Sequence, residues 1–329
     1  MGSNPRPAGD NRRQAGIVSD ARPDTTTRLL VGPERFDERL DVFLARVTEL
    51  SRRAARRLIA GGVVRRNGEV LRVQSRTLEM GDVVDVSLPA PELGVPATPE
   101  IETPEILFED PALLVAAKVA GVLSQPAENQ APDELSFDQQ ILLALAAREG
   151  RRPFLRLVHR LDRVTSGAVL FAREPKALPA ISHLWSEGRV ERLYLAVIEG
   201  HPEQDDFEID QPIARDPHHR WRFHCHIDGR PARTHVRVVV RLENGLSIVR
   251  CRLLSGRTHQ VRVHLTEIGF PVLGDWLYRS RRAAEVSRPL LHAASLALPH
   301  PISGTPLHVV CPIPEDIDRF IPDGLKPIV

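Results

Sequence analysis

The chain has 329 residues, and its 44 lysines and arginines nearly balance its 43 aspartates and glutamates, so the formal net charge is +1 at pH 7. This length predicts two or three domains at roughly 150 residues each. The charge balance excludes a uniformly basic protein, although it leaves room for a local basic surface. The cations comprise 41 arginines and three lysines, a ratio that codon bias or selection for bidentate phosphate contacts would produce.

Cysteine content and hydropathy exclude several further classes. The three cysteines, Cys225, Cys251 and Cys311, show no CxxC spacing, which excludes a disulfide framework and a four-thiolate zinc site and favours a reducing cytoplasm. The sequence has no run of about 18 apolar residues, so we expect no membrane span. Residues 1–28 lack the apolar block of a secretory signal and are expected to form a disordered tail.

A proline-rich segment divides the rest of the chain. Five prolines recur between residues 89 and 104 without a periodic apolar pattern, which is typical of a semi-rigid linker because proline lacks the backbone donor that a helix needs. We therefore expect a small domain at 29–88 and a large domain at 105–329.

The small domain has the pattern of two helices and a hairpin. The first helix is predicted from apolar residues at helical spacing, namely Phe36, Leu40, Phe43, Leu44 and Val47. The second is predicted to start at Ser51, a good N-cap, and to end at Gly61 and Gly62. On a helical wheel one of its faces is apolar and the other is wholly cationic, with Arg52, Arg53, Arg56 and Arg57. Asn67-Gly68 predicts a two-residue hairpin turn.

The small domain also concentrates positive charge. Residues 46–76 hold nine arginines against Glu49 and Glu69. Such a run is often only a solvated helix face, but four aligned arginines followed by further basic residues favour phosphate binding. The segments RLDVFL, SRRAARRLI, GGVVRRNGEVL and GDVVDV resemble an S4 RNA-binding domain in their order, over about 55 residues. That resemblance implies that the four arginines contact RNA.

The large domain has many short strands with turn signals and a few helices. This pattern predicts an α+β fold with a mixed, mainly antiparallel sheet. The sequence shows neither a βαβ alternation nor a phosphate-binding glycine motif, so it supports no dinucleotide or ATP site.

Two segments of the large domain could carry chemistry. In HRLDRVTSG, Asp162 lies in a loop between apolar strands, where it could stabilise a turn or, being ionised at neutral pH, act as a nucleophile. GRTHQVRVHL predicts a helix capped by Thr258, with Arg257, His259, Arg262 and His264 on its polar faces. A partly buried pair between Asp162 and Arg262 would hold the carboxylate ionised and oriented.

These segments, together with ERLYLAVIEG, GRPARTH, FPVLGDWLY and LLHA, resemble the RluA-type pseudouridine synthases over residues 106 to about 315. The resemblance implies that Asp162 is the catalytic aspartate, Tyr194 the active-site tyrosine and Arg262 the arginine that pairs with Asp162. It also implies that Arg160 enters the base stack as the target uridine flips out, and His159, Arg257 and Lys118 are expected to contact RNA. Whether Asp162 attacks C1′ or supports a glycal path stays open. Tyr194 suits a platform or a proton relay.

The sequence departs from this family at two places. AKVAG (117–121) stands where many relatives read NKPxG, so Lys118 and Gly121 remain while Ala117 and Val119 replace Asn and Pro. Arg192 stands where a lysine frequently precedes the tyrosine, a change that keeps the charge but alters the donor geometry.

A histidine-rich stretch, DPHHRWRFHCHIDG (216–229), offers a competing reading as a zinc site. Its spacings do not match common zinc templates, so we favour a hairpin that presents Trp221 and neighbouring arginines to RNA. We expect a cytoplasmic RNA pseudouridine synthase that needs no cofactor or metal, works as a monomer without an obligate protein partner, and acts on large-subunit (23S-type) rRNA. A tRNA-directed enzyme, a non-catalytic ribosome-assembly factor and a metal-dependent hydrolase are the alternatives.

Overall fold

The computed structural model describes residues 26–48, 50–87, 104–128, 130–131 and 134–325. These residues form two compact units, the first built from 26–87 with 131, 134 and 140–153, and the second from 104–128, 130, 135–139 and 154–325. Residues 140–153, which the sequence places in the large domain, therefore group with the first unit. Of the predicted tail and linker, residues 1–25 and 89–103 lie outside the described residues.

The first unit is a four-stranded sheet covered by two helices. Its elements are β1 (Thr27–Leu30), α1 (Leu40–Val47), α2 (Arg52–Gly61), β2 (Val64–Arg66), β3 (Glu69–Val70) and β4 (Val83–Val86), with the strand order β1-β4-β2-β3. Thr27 and Arg28, predicted in the tail, pair with β4 instead. Phe36, predicted on the first helix, lies in a turn before α1 and is 57% exposed, because α1 begins only at Leu40.

The predicted helix cap and hairpin of this unit are confirmed. Ser51 accepts a hydrogen bond from the Ala54 backbone N–H, and Gly62 ends α2 with φ of +76°. Asn67 and Gly68 both have positive φ, as a two-residue hairpin turn requires. Ala55 and Ile59 of α2 are buried, whereas its four arginines are exposed, so the predicted division of the helix into apolar and cationic faces is correct.

The second unit is built on a large mixed sheet. Its strands are β5 (Ile106–Glu109), β6 (Leu113–Lys118), β7 (Arg156–Leu157), β8 (Ser166–Ala172), β9 (Glu191–Glu199), β10 (Asp206–Asp210), β11 (Ile213–Arg215), β12 (Phe223–Cys225), β13 (Arg233–Arg241), β14 (Leu246–Leu253), β15 (Leu291–Pro299) and β16 (Pro306–Val310). The main path runs β10-β13-β14-β9-β15-β8-β6-β5, with β16 on β15 and β7 on β8. The helices are α3 (Phe137–Glu149), whose residues from 140 onward group with the first unit, and α4 (Ala177–Ser186), α5 (Gln260–Glu267) and α6 (Glu315–Asp318). The predicted mixed, mainly antiparallel sheet is confirmed.

One strand pair holds the two halves of this sheet together. Among the described strands, only β8 and β15 pair in parallel, through Ser166 with His292 and Gly167 with Ala293. Gly167 has φ of +129°, and a Cβ there would lie 2.4 Å from the Ala293 carbonyl oxygen. The glycine is thus required for this close approach. A hydrogen bond of 3.0 Å between Ser166 Oγ and His292 Nδ1 supports the same junction.

The histidine-rich stretch folds as the predicted hairpin, in which β11 and β12 pair antiparallel. In the described part of the chain, no three His, Cys, Asp or Glu side chains gather as a metal site would require. No described helix is long and apolar enough to cross a membrane. Cys251 and Cys311 are buried, and burial raises the pKa of both thiols to about 12.

Candidate active site

A cleft of about 610 Å³ opens in the second unit beside the loop that joins β7 to β8. Its walls come from that loop, from α4, from β9 and from the start of α5. The lining includes His159, Arg160, Asp162, Trp185, Arg192, Tyr194, Arg230, Arg257 and His259. The structure therefore brings the predicted catalytic loop, the predicted tyrosine and the GRTHQ segment to one cleft.

Asp162 and Arg262 form the predicted pair, and a second carboxylate completes it. Arg262 Nη1 donates to Asp162 Oδ2 at 3.2 Å, while its Nε and Nη2 donate to the two oxygens of Asp275 at 2.6 and 2.9 Å. Arg262 is 4% exposed and Asp275 is fully buried. Burial alone would lower the pKa of the Arg262 guanidinium, but the Asp275 hydrogen bonds outweigh it and raise that pKa. The cation is thus permanent, and its position is fixed from behind by Asp275.

The start of α5 explains how Arg262 becomes buried. The predicted Thr258 cap is wrong, because His259 precedes the helix with φ of +58° and no side chain caps it. This sharp entry turns the helix so that Arg262 and His264 both point into the protein. His264 bonds the Thr234 hydroxyl and the Gln211 carbonyl oxygen. Two of the residues predicted on the polar faces of this helix, Arg262 and His264, are therefore buried.

Tyr194 lies on β9 in the wall of the cleft. Its backbone pairs with Cys251 of the neighbouring strand β14 and with Ala293 of the other neighbouring strand, β15. The position of Tyr194 is therefore fixed by a strand on each side. Its side chain is buried, and burial raises the pKa of its phenol to about 12. At neutral pH the phenol is therefore protonated, which suits an aromatic platform or a hydrogen-bond donor rather than a base.

A hydrogen-bonded pair missed by sequence reasoning stands behind Asp162. His259 Nδ1 lies 2.8 Å from the Tyr278 hydroxyl, which also accepts a hydrogen bond from the Phe223 backbone N–H. The other ring nitrogen of His259, Nε2, lies 4.0 Å from Asp162 Oδ1. Burial lowers the pKa of His259, so it faces the carboxylate as a neutral ring.

The AKVAG segment (117–121) is hydrogen-bonded to the loop between β7 and β8 that carries Asp162. Lys118 is buried, and its Nζ donates to the carbonyl oxygens of Val119, Val122 and Arg163. The hydroxyl of Ser124 bonds both the backbone N–H and the carbonyl oxygen of Leu161. The Lys118 ammonium, predicted to contact RNA, donates in this structure to these three backbone oxygens. Burial lowers its pKa to about 7.

The other predicted RNA contacts in this unit differ in how accessible they are. Arg160 is exposed at the cleft and lies 3.4 Å from the Thr258 hydroxyl. Arg257 lines the cleft, and its Nε donates to the Pro231 carbonyl oxygen at 2.9 Å. His159 Nε2 accepts from the Leu170 N–H, the ring packs on Trp185, and burial lowers its pKa to about 3. His159 is thus a neutral part of the cleft wall.

In the first unit, one buried carboxylate organises half of the basic face of α2. Arg52 Nε and Arg56 Nε donate to the same Asp41 oxygen at 3.0 and 2.7 Å, and Arg39 binds the other oxygen at 3.1 Å. Arg53 and Arg57 are exposed and have no carboxylate partner among residues 26–48, 50–87 and 140–153. The predicted cationic face therefore contains two braced and two free guanidinium groups.

Comparison with known proteins assigns the chain to a class. Residues 112–267 match the family described as RNA pseudouridylate synthase, and residues 38–84 match the S4 domain. An "uncharacterized RNA pseudouridine synthase" of Chloroflexus aurantiacus is 37% identical over 295 residues, which cover 88% of this chain and 90% of that protein. The "ribosomal large subunit pseudouridine synthase D" of Zymomonas mobilis is 34% identical and covers 89% of this chain and 95% of its own length.

A solved structure agrees with these sequences. Human RNA pseudouridylate synthase domain containing 1 superimposes with a TM-score of 0.54 at 27% identity, covering 66% of this chain and 86% of the human one. The chain belongs to the family of RNA pseudouridine synthases, which are isomerases that act on RNA, and it carries an S4 domain ahead of the synthase region. The family resemblance expected from HRLDRVTSG and GRTHQVRVHL is thereby confirmed.

Proposed function

We propose that this enzyme isomerises specific uridines of large-subunit ribosomal RNA, with Asp162 as the reacting carboxylate, Tyr194 beneath the flipped base and Arg262 orienting Asp162. The observation that carries the site assignment is the 3.2 Å contact between Arg262 and Asp162 in the same cleft as Tyr194. The rRNA substrate is supported by relatives named as large-subunit pseudouridine synthases. Three free thiols suit a cytoplasmic location, and we propose that the enzyme acts there as a monomer.

The reaction requires the target uridine to leave the RNA stack, because its glycosidic bond is shielded there. Unstacking requires a few kcal/mol, and an aromatic face in the pocket offsets part of that loss. The aromatic ring of Tyr194, whose phenol is protonated at neutral pH, supplies such a face. Arg160 is exposed at the cleft, and its side chain would enter the vacated stack. Asp162 then meets the sugar.

Two routes are open once the sugar is bound. In one, an Asp162 oxygen bonds to C1′ while the N1–C1′ bond breaks and its electron pair leaves with uracil N1. In the other, the 2′ proton is removed and the N1–C1′ bond breaks to form a glycal, with Asp162 assisting. In both, uracil then turns and its C5 bonds to C1′. The C1′–O bond to Asp162 breaks at that step in the first route, and C2′ regains its proton at that step in the second. C5 finally loses its proton and N1 gains one, so the product is an isomer. In either route, the hydrogen bond from the fixed Arg262 guanidinium orients the Asp162 carboxylate.

Mapping pseudouridines across total RNA with and without this gene tests the proposal. We expect one or a few large-subunit rRNA sites to disappear in the deletion strain, to return with the intact gene, and to stay absent with the Asp162→Asn variant. Loss of tRNA sites instead would establish the tRNA-directed alternative. An unchanged map would favour the non-catalytic assembly factor and contradict the proposal.

A further inference from the structure

Four arginines in the catalytic cleft have no carboxylate partner. The charged lining residues are Asp162 and four arginines, namely Arg160, Arg192, Arg230 and Arg257. Asp162 is already shared with Arg262, and Arg262 with Asp275. Within the described residues, no ion pair reaches any of the four cleft arginines, so this cleft presents a strong excess of positive charge. That pattern differs from α2, where a buried carboxylate binds two of the arginines.

Arg192 is the most unusual of the four because it is 91% buried, with a relative exposure of 9%. Its Nη2 donates to the Ser255 carbonyl oxygen at 3.1 Å and its guanidinium lies 4.9 Å from the centre of the Trp185 ring, but its Nε has no partner. A buried cation without a counter-ion lowers the stability of a folded protein. An anionic ligand bound beside Arg192 would supply the missing negative charge.

Arg192 and Arg257 meet at one short loop, residues 255–257, and Arg257 Nε donates to the carbonyl oxygen of Pro231, the residue after Arg230. Arg192 reaches it through Ser255, and its Nη1 fills the space where a Cβ on Gly256 would lie, 2.9 Å away. Arg257 belongs to the loop, and the nearby charge of Arg230 adds to burial in lowering the pKa of Arg257. The backbone of Arg230 is fixed by two hydrogen bonds of 2.9 Å with Ile213. Like charges held together in this way repel each other until an anion binds between them.

The loop also stands between two hollows. Trp185, Arg192 and Arg257 line both the catalytic cleft and an adjoining hollow of about 410 Å³. An RNA strand that places one nucleotide at Asp162 must continue past the cleft, and its backbone carries one phosphate per nucleotide. The guanidinium fork matches two phosphate oxygens at once.

We propose that Arg192, Arg230 and Arg257 form a phosphate-binding subsite around loop 255–257, which holds the RNA backbone beside the reacting nucleotide. The inference rests on the proposed function, since its ligand is a phosphodiester of the substrate strand. It gives the arginines a role in the reaction. While the base is detached from C1′, the sugar is held only by its own strand, and an anchored phosphate keeps C1′ next to Asp162 as the uracil turns.

Two sets of variants test the subsite in an Asp162→Asn background, where turnover cannot disturb the measurement. The probe is an unmodified transcript of large-subunit rRNA, and its affinity is measured over a range of salt concentrations. Arg192→Met is expected to weaken binding about tenfold and to make the slope of log affinity against log salt less steep by about 0.7 for a lost single-strand phosphate contact. Its thermal midpoint should stay unchanged or rise, because an unpaired buried cation is removed.

The double variant Arg230→Gln, Arg257→Gln keeps the test decisive if Arg192→Met affects folding. Arg230 is exposed and Arg257 is only partly buried, so we expect full stability. The salt slope should become less steep by about 0.7 for each of one or two lost phosphate contacts. Arg237→Met is the matched control, since Arg237 is an exposed arginine of β13 outside the cleft, and it should change neither quantity.

The outcomes separate the subsite from the proposed function. Pseudouridine formation by the unaltered enzyme on the same transcript tests the function, and its absence would refute that function. If the enzyme is active but the double variant binds with unchanged affinity and salt slope, the subsite is refuted alone. A lower thermal midpoint for Arg192→Met with unchanged RNA binding would show that Arg192 only supports the fold.

Discussion

Asp162 and Asp275 both accept hydrogen bonds from Arg262, yet we expect Asp275→Asn to lower stability much more than Asp162→Asn. Asp275 is fully buried, accepts two of the three contacts at 2.6 and 2.9 Å, and also caps the turn at Trp276–Tyr278. Asp162 accepts one contact at 3.2 Å, and 22% of its side chain is exposed. Asp275 is thus a structural counter-ion, whereas Asp162 is open to substrate.

The magnitudes follow from this geometry. Removing one partner of a buried ion pair lowers stability by about 3–5 kcal/mol because the remaining charge stays buried. Asp275→Asn should therefore remove about a fifth or more of a typical unfolding free energy of about 5–15 kcal/mol. Asp162→Asn should lower stability by about 1 kcal/mol or less, since a partly exposed pair contributes little and Arg262 keeps both bonds to Asp275.

Urea unfolding followed by tryptophan fluorescence measures the stability of the second structural unit, which contains both carboxylates, because all three tryptophans lie there. We expect the midpoint of Asp275→Asn to fall by about 1 M or more and that of Asp162→Asn to stay within about 0.5 M of the unaltered protein. Asp162→Asn should nevertheless form no pseudouridine. Equal losses of stability in both variants, or an active Asp162→Asn enzyme, would refute the division of roles between the two carboxylates.

Two further predictions concern the first unit. Arg53→Gln with Arg57→Gln should weaken binding of an rRNA transcript and flatten its salt dependence without loss of stability, because neither arginine has a carboxylate partner in this unit. Arg52→Gln with Arg56→Gln is the matched control and should instead lower stability by about 3 kcal/mol, since Asp41 would stay buried beside Arg39 alone; an equal salt effect without destabilisation would contradict this contrast. Burial alone would raise the pKa of Asp41, but the arginine hydrogen bonds outweigh it and hold the pKa at about 2, below the usual 3.8. A lowered folded-state pKa stabilises above the unfolded value, so we expect about 2 kcal/mol to be lost between pH 4 and pH 2. Amide exchange in β4 measures that loss, and the pH response should be absent in Asp41→Asn.

Local patterns were sufficient to predict most of the elements and part of the site. The two-faced helix α2 and the Asn67-Gly68 turn follow from residue types at short spacing. The pairing of Asp162 with Arg262, 100 residues apart, was predicted from their complementary charges and from the family resemblance. In each of these features a local pattern or complementary charges agree with the final structure. The predicted family likewise rests on short motifs, chiefly HRLDRVTSG and GRTHQVRVHL.

The residues that the sequence did not reveal depend on long-range burial. Asp275 lies in FPVLGDWLY, a segment without an obvious chemical pattern, and its role appears only when Arg262 turns inward. The signal that could have found it is Gly274, directly before it, whose φ of +86° marks a constrained turn. The burial of Lys118 was not predicted for the same reason, because a lysine in a sequence is expected at the surface, whereas this one is surrounded by three backbone carbonyl oxygens.

The parallel junction between β8 and β15 also determines when the cleft can exist. β15 lies in the sheet between β8, which follows the loop of Asp162, and β9, which carries Tyr194, yet β15 comes almost 100 residues after β9 in the chain. During synthesis the strands on each side can pair with their own neighbours, but the two halves cannot join until residues 291–299 have left the ribosome and inserted between them. A nascent chain therefore holds Asp162 and Tyr194 apart until β15 has been synthesised and has inserted between β8 and β9.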